Sequence, residues 1–164
     1  PRYGKYAVTG NHEFYAGLAP ALDFTSRAGF TILRGEAVTI GGLVSIAGID
    51  DPAGKAFGLY REVREGDLLG RLPRHTYTVL LKHLPIVRTE ALGLFDLQLS
   101  GHTHKGQIFP FDLITRIFFS YDTGWFDLAR GSRLTVSRGT GTWGPPVRLF
   151  ASPQVTIINL IHGE

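Results

Sequence analysis

Short apolar runs separated by glycine-containing turns alternate with segments of helical spacing along the chain. Runs of four to seven residues rich in β-branched side chains predict short strands. Strands are expected at residues 5–9, 30–33, 37–40, 43–49, 77–81, 96–99, 133–137 and 155–161. Because the predicted strands and helices are interleaved, the pattern indicates an α/β sandwich.

Four segments have the apolar spacing of helices. They cover residues 15–28, 57–65, 86–94 and 111–119. Pro20 lies within the first segment, so that helix either bends there or begins later. No apolar run reaches the ~18–20 residues that a membrane-spanning helix requires, and none is predicted in this chain.

Composition narrows the functional classes. The 164 residues include 17 Lys or Arg and 14 Asp or Glu, and these charges are scattered. Since no basic stripe with interleaved aromatic residues is present, nucleic-acid binding is not expected. The chain has no cysteine, which excludes disulfides and thiolate metal ligands.

The N-terminal sequence predicts a partial domain. The chain contains no methionine and begins at Pro1, and strand-like residues lead into a sequence motif within ten residues. We therefore expect residues 1–164 to be the C-terminal portion of a single domain whose N-terminal portion is absent.

Three histidines fall at informative places. His12, His83 and His102 each follow the end of a predicted strand. Loops at strand ends, held by a rigid sheet, are where α/β proteins carry binding and catalytic residues. A single histidine at such a position is more often structural than a ligand, so the three must be considered together.

The sequence Gly101-His102-Thr103-His104 has the spacing of a metal-binding pair. In an extended segment, residues two apart point to the same side, with Cβ atoms roughly 6–7 Å apart. That separation suits two metal ions ~3.5–4 Å apart, each bound by one imidazole. The alternative is a pair of surface loop histidines.

The sequence Gly10-Asn11-His12-Glu13 follows a strand and precedes a helix. The Asn11 amide offers a neutral oxygen ligand, and His12 can protonate a departing alkoxide. Equally, Asn11 can cap the helix with Glu13 in its first turn, which is a purely structural function.

The order of the motifs resembles a known family. Gly-Asn-His-Glu at 10–13, His-x-Pro at 83–85 and Ser-Gly-His-Thr-His at 100–104 resemble motifs three to five of the calcineurin-like metallophosphoesterase superfamily. The resemblance continues through 106–108 and 137–141 and reaches residues 155–160. It is closest to a bacterial membrane-associated branch that includes phosphodiesterases and pyrophosphatases acting on lipid or cell-wall substrates. It implies part of a four-layer αββα sandwich with mixed sheets.

The resemblance also implies a metal site. Asn11, His83 and His102 would bind one divalent ion, and His104 would bind a second, with Mn, Zn, Fe and Mg as the candidates. His12 would orient the phosphate and help the leaving group to depart.

Three further positions have weaker implications. Glu13 would give structural support, and Lys105, where this branch usually has glycine, would either contact an anionic substrate or point to solvent. The pair Asp50-Asp51 matches one that is often present in the branch, and we assign no chemistry to it.

The first two motifs of the family, Asp-x-His and Gly-Asp with its bridging aspartate, are missing and belong upstream of Pro1. Without the anionic bridge, two divalent cations are poorly held by imidazoles and one amide. We therefore expect this chain alone to bind one metal ion weakly and to be nearly inactive.

The expected activity of the complete protein is hydrolysis of phosphodiester or pyrophosphate bonds by a water activated between two metals, on a lipid-linked or cell-wall-related substrate. A nuclease or phosphatase of the same superfamily is an alternative, as is a non-catalytic scaffold that keeps the fold. The absence of a basic groove argues against the nuclease, and the retained ligand-type residues argue against the scaffold.

The stretch Ile108–Phe126 is rich in aromatic and aliphatic side chains. One interpretation is packing in the core, where such residues usually lie. The other is a surface that contacts a lipid substrate or a bilayer, with Arg116 as a basic flank. Membrane association would arise from this stretch or from the absent N-terminal segment.

Overall fold

A computed structural model describes residues 1–161. The strands are β1 (Tyr6–Ala7), β2 (Thr31–Ile32), β3 (Glu36–Ile40), β4 (Val44–Ile49), β5 (Tyr77–Lys82), β6 (Leu97–Ser100), β7 (Gly124–Asp127) and β8 (Arg133–Val136). The α-helices are α1 (Asn11–Tyr15), α2 (Leu18–Arg27), α3 (Glu65–Leu69) and α4 (Phe111–Phe118). The predicted α/β fold with a mixed sheet is confirmed.

The main sheet has the strand order β3-β4-β5-β6-β8-β7. Strands β4, β5, β6 and β8 run parallel to one another, whereas β3 pairs with β4 and β7 pairs with β8 in antiparallel fashion at the two edges. Because the central strands are parallel, the residues that follow β4, β5 and β6 emerge at one edge of the sheet.

Strands β1 and β2 form a separate parallel ribbon that packs on the main sheet at Gly48. A Cβ atom at Gly48 would lie 2.4 Å from Leu33 Cβ and 2.7 Å from Val8 Cγ1, so glycine is required at this close approach. Elsewhere the main sheet is covered by an apolar cluster, whose members are Ala47, Ile49, Leu69, Leu80, Ala91 and Phe95.

Two predicted helices are wrong. Over residues 57–65, a 3₁₀ helix (Pro52–Phe57) ends at Gly58 in the left-handed conformation, and α3 begins only at Glu65. Over residues 86–94, only Thr89–Ala91 forms a 3₁₀ turn. Ala91 is fully buried in the apolar cluster. The apolar residues of this segment therefore contribute to the core from a loop, and their helical spacing does not reflect a helix.

The predicted strand at residues 155–161 is also wrong, since this segment forms no strand. Its alternating apolar residues Val155, Ile157 and Ile161 are 78%, 84% and 88% exposed. Strand β7, which lies within the aromatic stretch, was not predicted because its sequence Gly-Trp-Phe-Asp has no alternation of polarity. Within residues 1–161, none of the helices has the length and apolar character needed to cross a membrane.

Candidate metal centre

Three side chains from distant parts of the chain converge at the carboxyl edge of the sheet. Asn11 begins α1 shortly after β1, His83 directly follows β5, and His102 follows β6. His83 Nε2 lies 3.0 Å from Asn11 Oδ1 and 3.1 Å from His102 Nδ1. The predicted association of these three residues is therefore seen in the geometry of the side chains.

The donor atoms have the spacing of ligands to a single ion. For bonds of ~2.1 Å at right angles, neighbouring ligand atoms lie about 3 Å apart. Each nitrogen of a neutral imidazole carries either a proton or a lone pair. If His83 Nε2 donates its proton to Asn11 Oδ1, it cannot also accept a proton from His102 Nδ1. A cation among the three lone pairs would satisfy all of them, so the residues fit a metal ion.

Charged side chains do not complete this donor set. Across residues 1–161, no group of three or more His, Asp or Glu side chains is arranged to hold a metal ion. The third donor atom beside the two histidines is the amide oxygen of Asn11, which carries no charge. Hard divalent cations prefer charged oxygen ligands, so this donor set alone would bind them weakly.

Asp51 is a candidate residue to which the sequence analysis assigned no chemistry. It follows β4, is 3% exposed, and its Oδ1 accepts a hydrogen bond from the Ala53 backbone N–H at 2.8 Å. Its Oδ2 is buried, with no hydrogen-bond partner in the part of the chain that the structure describes. Burial raises the pKa of the Asp51 carboxyl, while the nearby His102 opposes this rise. Its place at the end of a strand beside β5 was the available signal.

The neighbouring Asp50 differs from Asp51 in having its carboxylate fully engaged. It accepts hydrogen bonds from the Arg34 guanidinium at 2.7–3.1 Å, from Thr9 Oγ1 at 2.9 Å and from the Arg61 backbone N–H at 3.1 Å. These contacts tie the ribbon of β1 and β2 to the main sheet. Asp50 is therefore a structural residue.

His104 has a different partner from the other ligand-type residues. Arg148 Nη2 lies 3.2 Å from His104 Nδ1 and, as a guanidinium, can only donate. The neutral His104 ring then carries its proton on Nε2, so neither ring nitrogen offers a free lone pair in this arrangement. Burial and the Arg148 charge lower the pKa of His104.

The loop that carries His102 and His104 is not extended, so the spacing argument for an extended His-x-His pair does not apply to it. His102, His104, Lys105 and Gln107 have φ values of 69°, 50°, 52° and 57°. The left-handed conformation is unfavourable for residues with a Cβ atom, and such conformations concentrate at functional sites. The two histidines nevertheless face one cavity, because the chain turns back between them.

That cavity has a volume of about 330 Å³. The residues that line it are Asn11, His12, His102, Thr103, His104, Gly106, Phe111, Ile114, Thr115, Phe119 and Trp143. His12 is exposed at its surface, and its ring meets the edge of Tyr15 at a centroid distance of 5.6 Å. Glu13 accepts a hydrogen bond from the Gly10 backbone N–H at 2.6 Å and so supports the start of α1.

Lys105 lies outside this cavity and lines a second one beside it. The residue is partly buried, and its ammonium group lies 3.3 Å from the carbonyl oxygen of Phe150. A contact between Lys105 and a substrate at the three-donor set therefore finds no direct support in this arrangement.

Burial controls the charge of the central histidines. It lowers the pKa of both His83 and His102 to about 4, from an ordinary value of 6.5. Both rings are consequently neutral near pH 7, which is the state that a metal ion requires of imidazole.

The metal-free chain should lose stability as the pH falls from about 6.5 to about 4. Over this window the unfolded histidines take up protons while folded His83 and His102 remain neutral. The free energy of unfolding should fall by up to about 1.4 kcal/mol per pH unit for each histidine. Urea denaturation at a series of pH values, followed by tryptophan fluorescence, measures this slope.

The matched controls for this measurement are histidine replacements. The double variant His83→Asn, His102→Asn should have a clearly flatter profile, whereas His75→Gln, at an exposed position, should follow the wild type. An unchanged slope in the double variant would show that other groups cause the acid destabilisation.

Comparison with known proteins agrees with the order of the motifs. The chain is 46% identical to an "Uncharacterized metallophosphoesterase" of Aquifex aeolicus over 161 residues, which cover 98% of this chain and 62% of that protein. It is 32% identical to the "Uncharacterized metallophosphoesterase YkuE" of Bacillus subtilis, covering 96% of this chain and 56% of that protein.

More distant relatives include animal proteins. A "Transmembrane protein with metallophosphoesterase domain" of Bos taurus is 31% identical, over 94% of this chain and 38% of that protein. No family model matches the chain, and no solved structure does so.

The chain thus spans about two fifths to three fifths of the length of these relatives. Several of them are described as metallophosphoesterases and match nearly all of this chain, and they include proteins of Campylobacter jejuni and Helicobacter pylori at 38% and 35% identity. Over nearly its whole length, the chain is therefore similar to proteins described as metallophosphoesterases, which is consistent with the resemblance of its motifs to the calcineurin-like superfamily.

Proposed function

We propose that this chain is the C-terminal part of a domain that hydrolyses phosphodiester or pyrophosphate bonds with the help of two divalent metal ions. Similarity to proteins described as metallophosphoesterases supports the reaction class. A lipid-linked or cell-wall-related compound is the proposed substrate, because the motifs are closest to the branch that acts on such compounds.

One observation carries the proposal. At the carboxyl edge of a parallel sheet, His83 Nε2 lies 3.0 Å from Asn11 Oδ1 and 3.1 Å from His102 Nδ1, and all three donor atoms are uncharged. In this contact a single proton on His83 Nε2 makes only one full hydrogen bond with its two neighbours. A divalent ion explains it, and when bound it supplies an acidified water and neutralises phosphate charge.

The side chains of this chain have distinct proposed functions in the reaction. Asn11, His83 and His102 would hold the first ion, the two histidines in the neutral form that burial favours. Exposed His12, on the same cavity, donates a proton to the departing alkoxide oxygen and orients the phosphate. Asp51, with its unpartnered buried oxygen, supplies negative charge beside His102.

His104 is proposed to hold the second ion only after its contact with Arg148 breaks, because that contact occupies Nδ1 and leaves the proton on Nε2. Upstream carboxylates are the expected trigger, since they would draw a second cation towards the loop and supply the missing bridge.

Hydrolysis of bis(p-nitrophenyl) phosphate with Mn²⁺ tests the proposal. The chain with its native upstream segment should be active, the same protein with His104→Ala should lose most of that activity, and the 164-residue chain alone should be nearly inactive. Full activity of the chain alone would refute the need for upstream ligands. Inactivity of the full protein towards this compound and towards pyrophosphate-linked lipids would contradict the hydrolase.

One observation favours a second candidate, a scaffold that keeps the fold without metals. The Arg148 guanidinium lies where a second cation would have to approach His104. It donates to the lone pair of His104 Nδ1, so this nitrogen has a partner without any metal. Metal analysis of the purified full protein separates the two candidates. A folded protein that contains no divalent metal after incubation with Mn²⁺ would be the scaffold.

A further inference from the structure

We propose that α4, together with a basic pocket beside it, docks this protein onto the surface of an anionic lipid bilayer. None of the eight residues of α4 is buried. The apolar face of α4, which we define as Phe111, Ile114, Ile117 and Phe118, is 45%, 47%, 80% and 76% exposed. The interpretation of this stretch as core packing is therefore wrong for these residues.

The spacing within α4 makes it amphipathic. The four residues of the apolar face lie at i, i+3, i+6 and i+7, whereas Asp112 and Arg116 lie on the opposite side. Soluble proteins seldom expose contiguous apolar patches without an interaction to cover them. A short amphipathic helix with aromatic residues and a cationic flank is typical of a helix that lies in a membrane interface.

The charge around α4 favours an anionic amphiphile over an apolar protein surface. A second cavity of about 330 Å³ adjoins the helix and contains Lys105, Arg116 and Arg138 against one acid, Asp122. The Arg138 Nε atom is buried, without a hydrogen-bond partner in residues 1–161. A lipid phosphate would supply that partner while its acyl chains meet the apolar face.

The proposed surface is continuous with the candidate metal centre. Phe111 and Ile114 line the cavity that holds His12 and His104, and Phe119 lines both cavities. The loop that carries His102 and His104 packs directly on the backbone of α4. A Cβ atom at Gly106 would lie only 2.2 Å from the Asp112 backbone nitrogen, which shows how close this approach is. Docking through α4 would therefore bring the mouth of the metal-centre cavity to the lipid surface.

This inference goes beyond the proposed function, since binding to a membrane requires no hydrolysis. Co-sedimentation of the full 164-residue chain with vesicles measures it. Vesicles of phosphatidylcholine containing phosphatidylglycerol should bind the chain, and pure phosphatidylcholine vesicles should bind it at least about tenfold more weakly. Ile117→Asp and Phe118→Asp should each weaken binding to the anionic vesicles by about tenfold or more.

Two further variants separate general adhesion from the contribution of the basic flank. Phe24→Asp, on α2, replaces a residue of similar exposure (68%) and should leave binding within about twofold of the wild type. Arg116→Gln should reduce binding to anionic vesicles alone. Far-UV circular dichroism establishes that each protein is folded.

Three outcomes would overturn the proposal. The first is a folded wild-type chain that stays in the supernatant with anionic vesicles. The second is equal loss of binding in Phe24→Asp, which would indicate general adhesion of apolar residues. The third is a dimer that Ile117→Asp dissociates, without vesicle binding by the wild type, because a second copy would then cover the apolar face.

Discussion

Replacing His83 with alanine should remove the bound metal ion from the full-length protein and lower phosphodiester hydrolysis by at least about 100-fold. His83 is the central donor, because its Nε2 contacts both Asn11 Oδ1 and His102 Nδ1. Without it, the remaining two donors are uncharged and too few for a divalent cation. Elemental analysis of metal content and hydrolysis of bis(p-nitrophenyl) phosphate are the two measurements.

His75→Ala is the matched control for this variant. His75 is exposed and precedes β5, whereas His83 follows the same strand. His75→Ala should keep both metal and activity. Retention of metal by His83→Ala, with activity lost, would show that His83 acts on the substrate and is not a ligand.

Replacing Lys82 with methionine should lower the free energy of unfolding by about 3–5 kcal/mol. The Lys82 and Glu65 side chains are only 8% and 6% exposed and form an ion pair, and Lys82 Nζ also donates to the Ile86 carbonyl at 2.7 Å. Burial lowers the pKa of Lys82, and the Glu65 charge opposes this. Loss of the ammonium leaves a buried carboxylate without a cation, which is the costly state. Urea denaturation at pH 7 measures the effect.

The double variant Lys82→Met, Glu65→Leu separates the pair from simple packing. It should recover a large part of the lost stability, because an apolar pair removes the unpaired charge. The surface pair Asp23–Arg27, with side chains 64% and 73% exposed, provides the comparison. Asp23→Asn should change stability by less than about 0.5 kcal/mol. If Lys82→Met lowered the free energy of unfolding as little as Asp23→Asn does, burial of the ion pair would not be what makes it important.

Apart from β7, the strands of the main sheet were predictable because each is a short, largely apolar run bounded by turn residues. Predicted 77–81 corresponds to Tyr77–Lys82, and predicted 133–137 to Arg133–Val136. The errors fall where long-range packing decides the conformation. Ala91 is drawn into the core from a loop, and residues 155–161 have the alternation of a strand but no partner strand among the described residues.

Part of the candidate site could be predicted because its histidines follow strand ends in the order of a known set of motifs. The convergence of His83 and His102 follows from the parallel pairing of β5 with β6, which carries their side chains to one edge of the sheet. The left-handed backbone at His102 and His104 could not be predicted, since conformations of that kind are imposed by tertiary contacts and not by local propensity.

Asp51 and Arg148 were missed for different reasons. Asp51 and its neighbour Asp50 both lie at the end of the same strand, so their position in the sequence does not separate them. Only their hydrogen bonds in the structure distinguish the two carboxylates. Arg148 lies 44 residues after His104 in a loop rich in glycine and proline. No local pattern connects those two positions.

Arg148 also sets a limit on variation in the C-terminal loop. Besides contacting His104, the Arg148 guanidinium donates to the carbonyl oxygens of Arg138, Gly141 and Ala151. One side chain therefore joins both ends of the segment 138–151 to the loop that carries His102 and His104. Surface loops ordinarily accept insertions and deletions. Here a change of one residue between 141 and 148 would displace the guanidinium from His104, so the length of this loop governs whether His104 Nδ1 is free to bind another group.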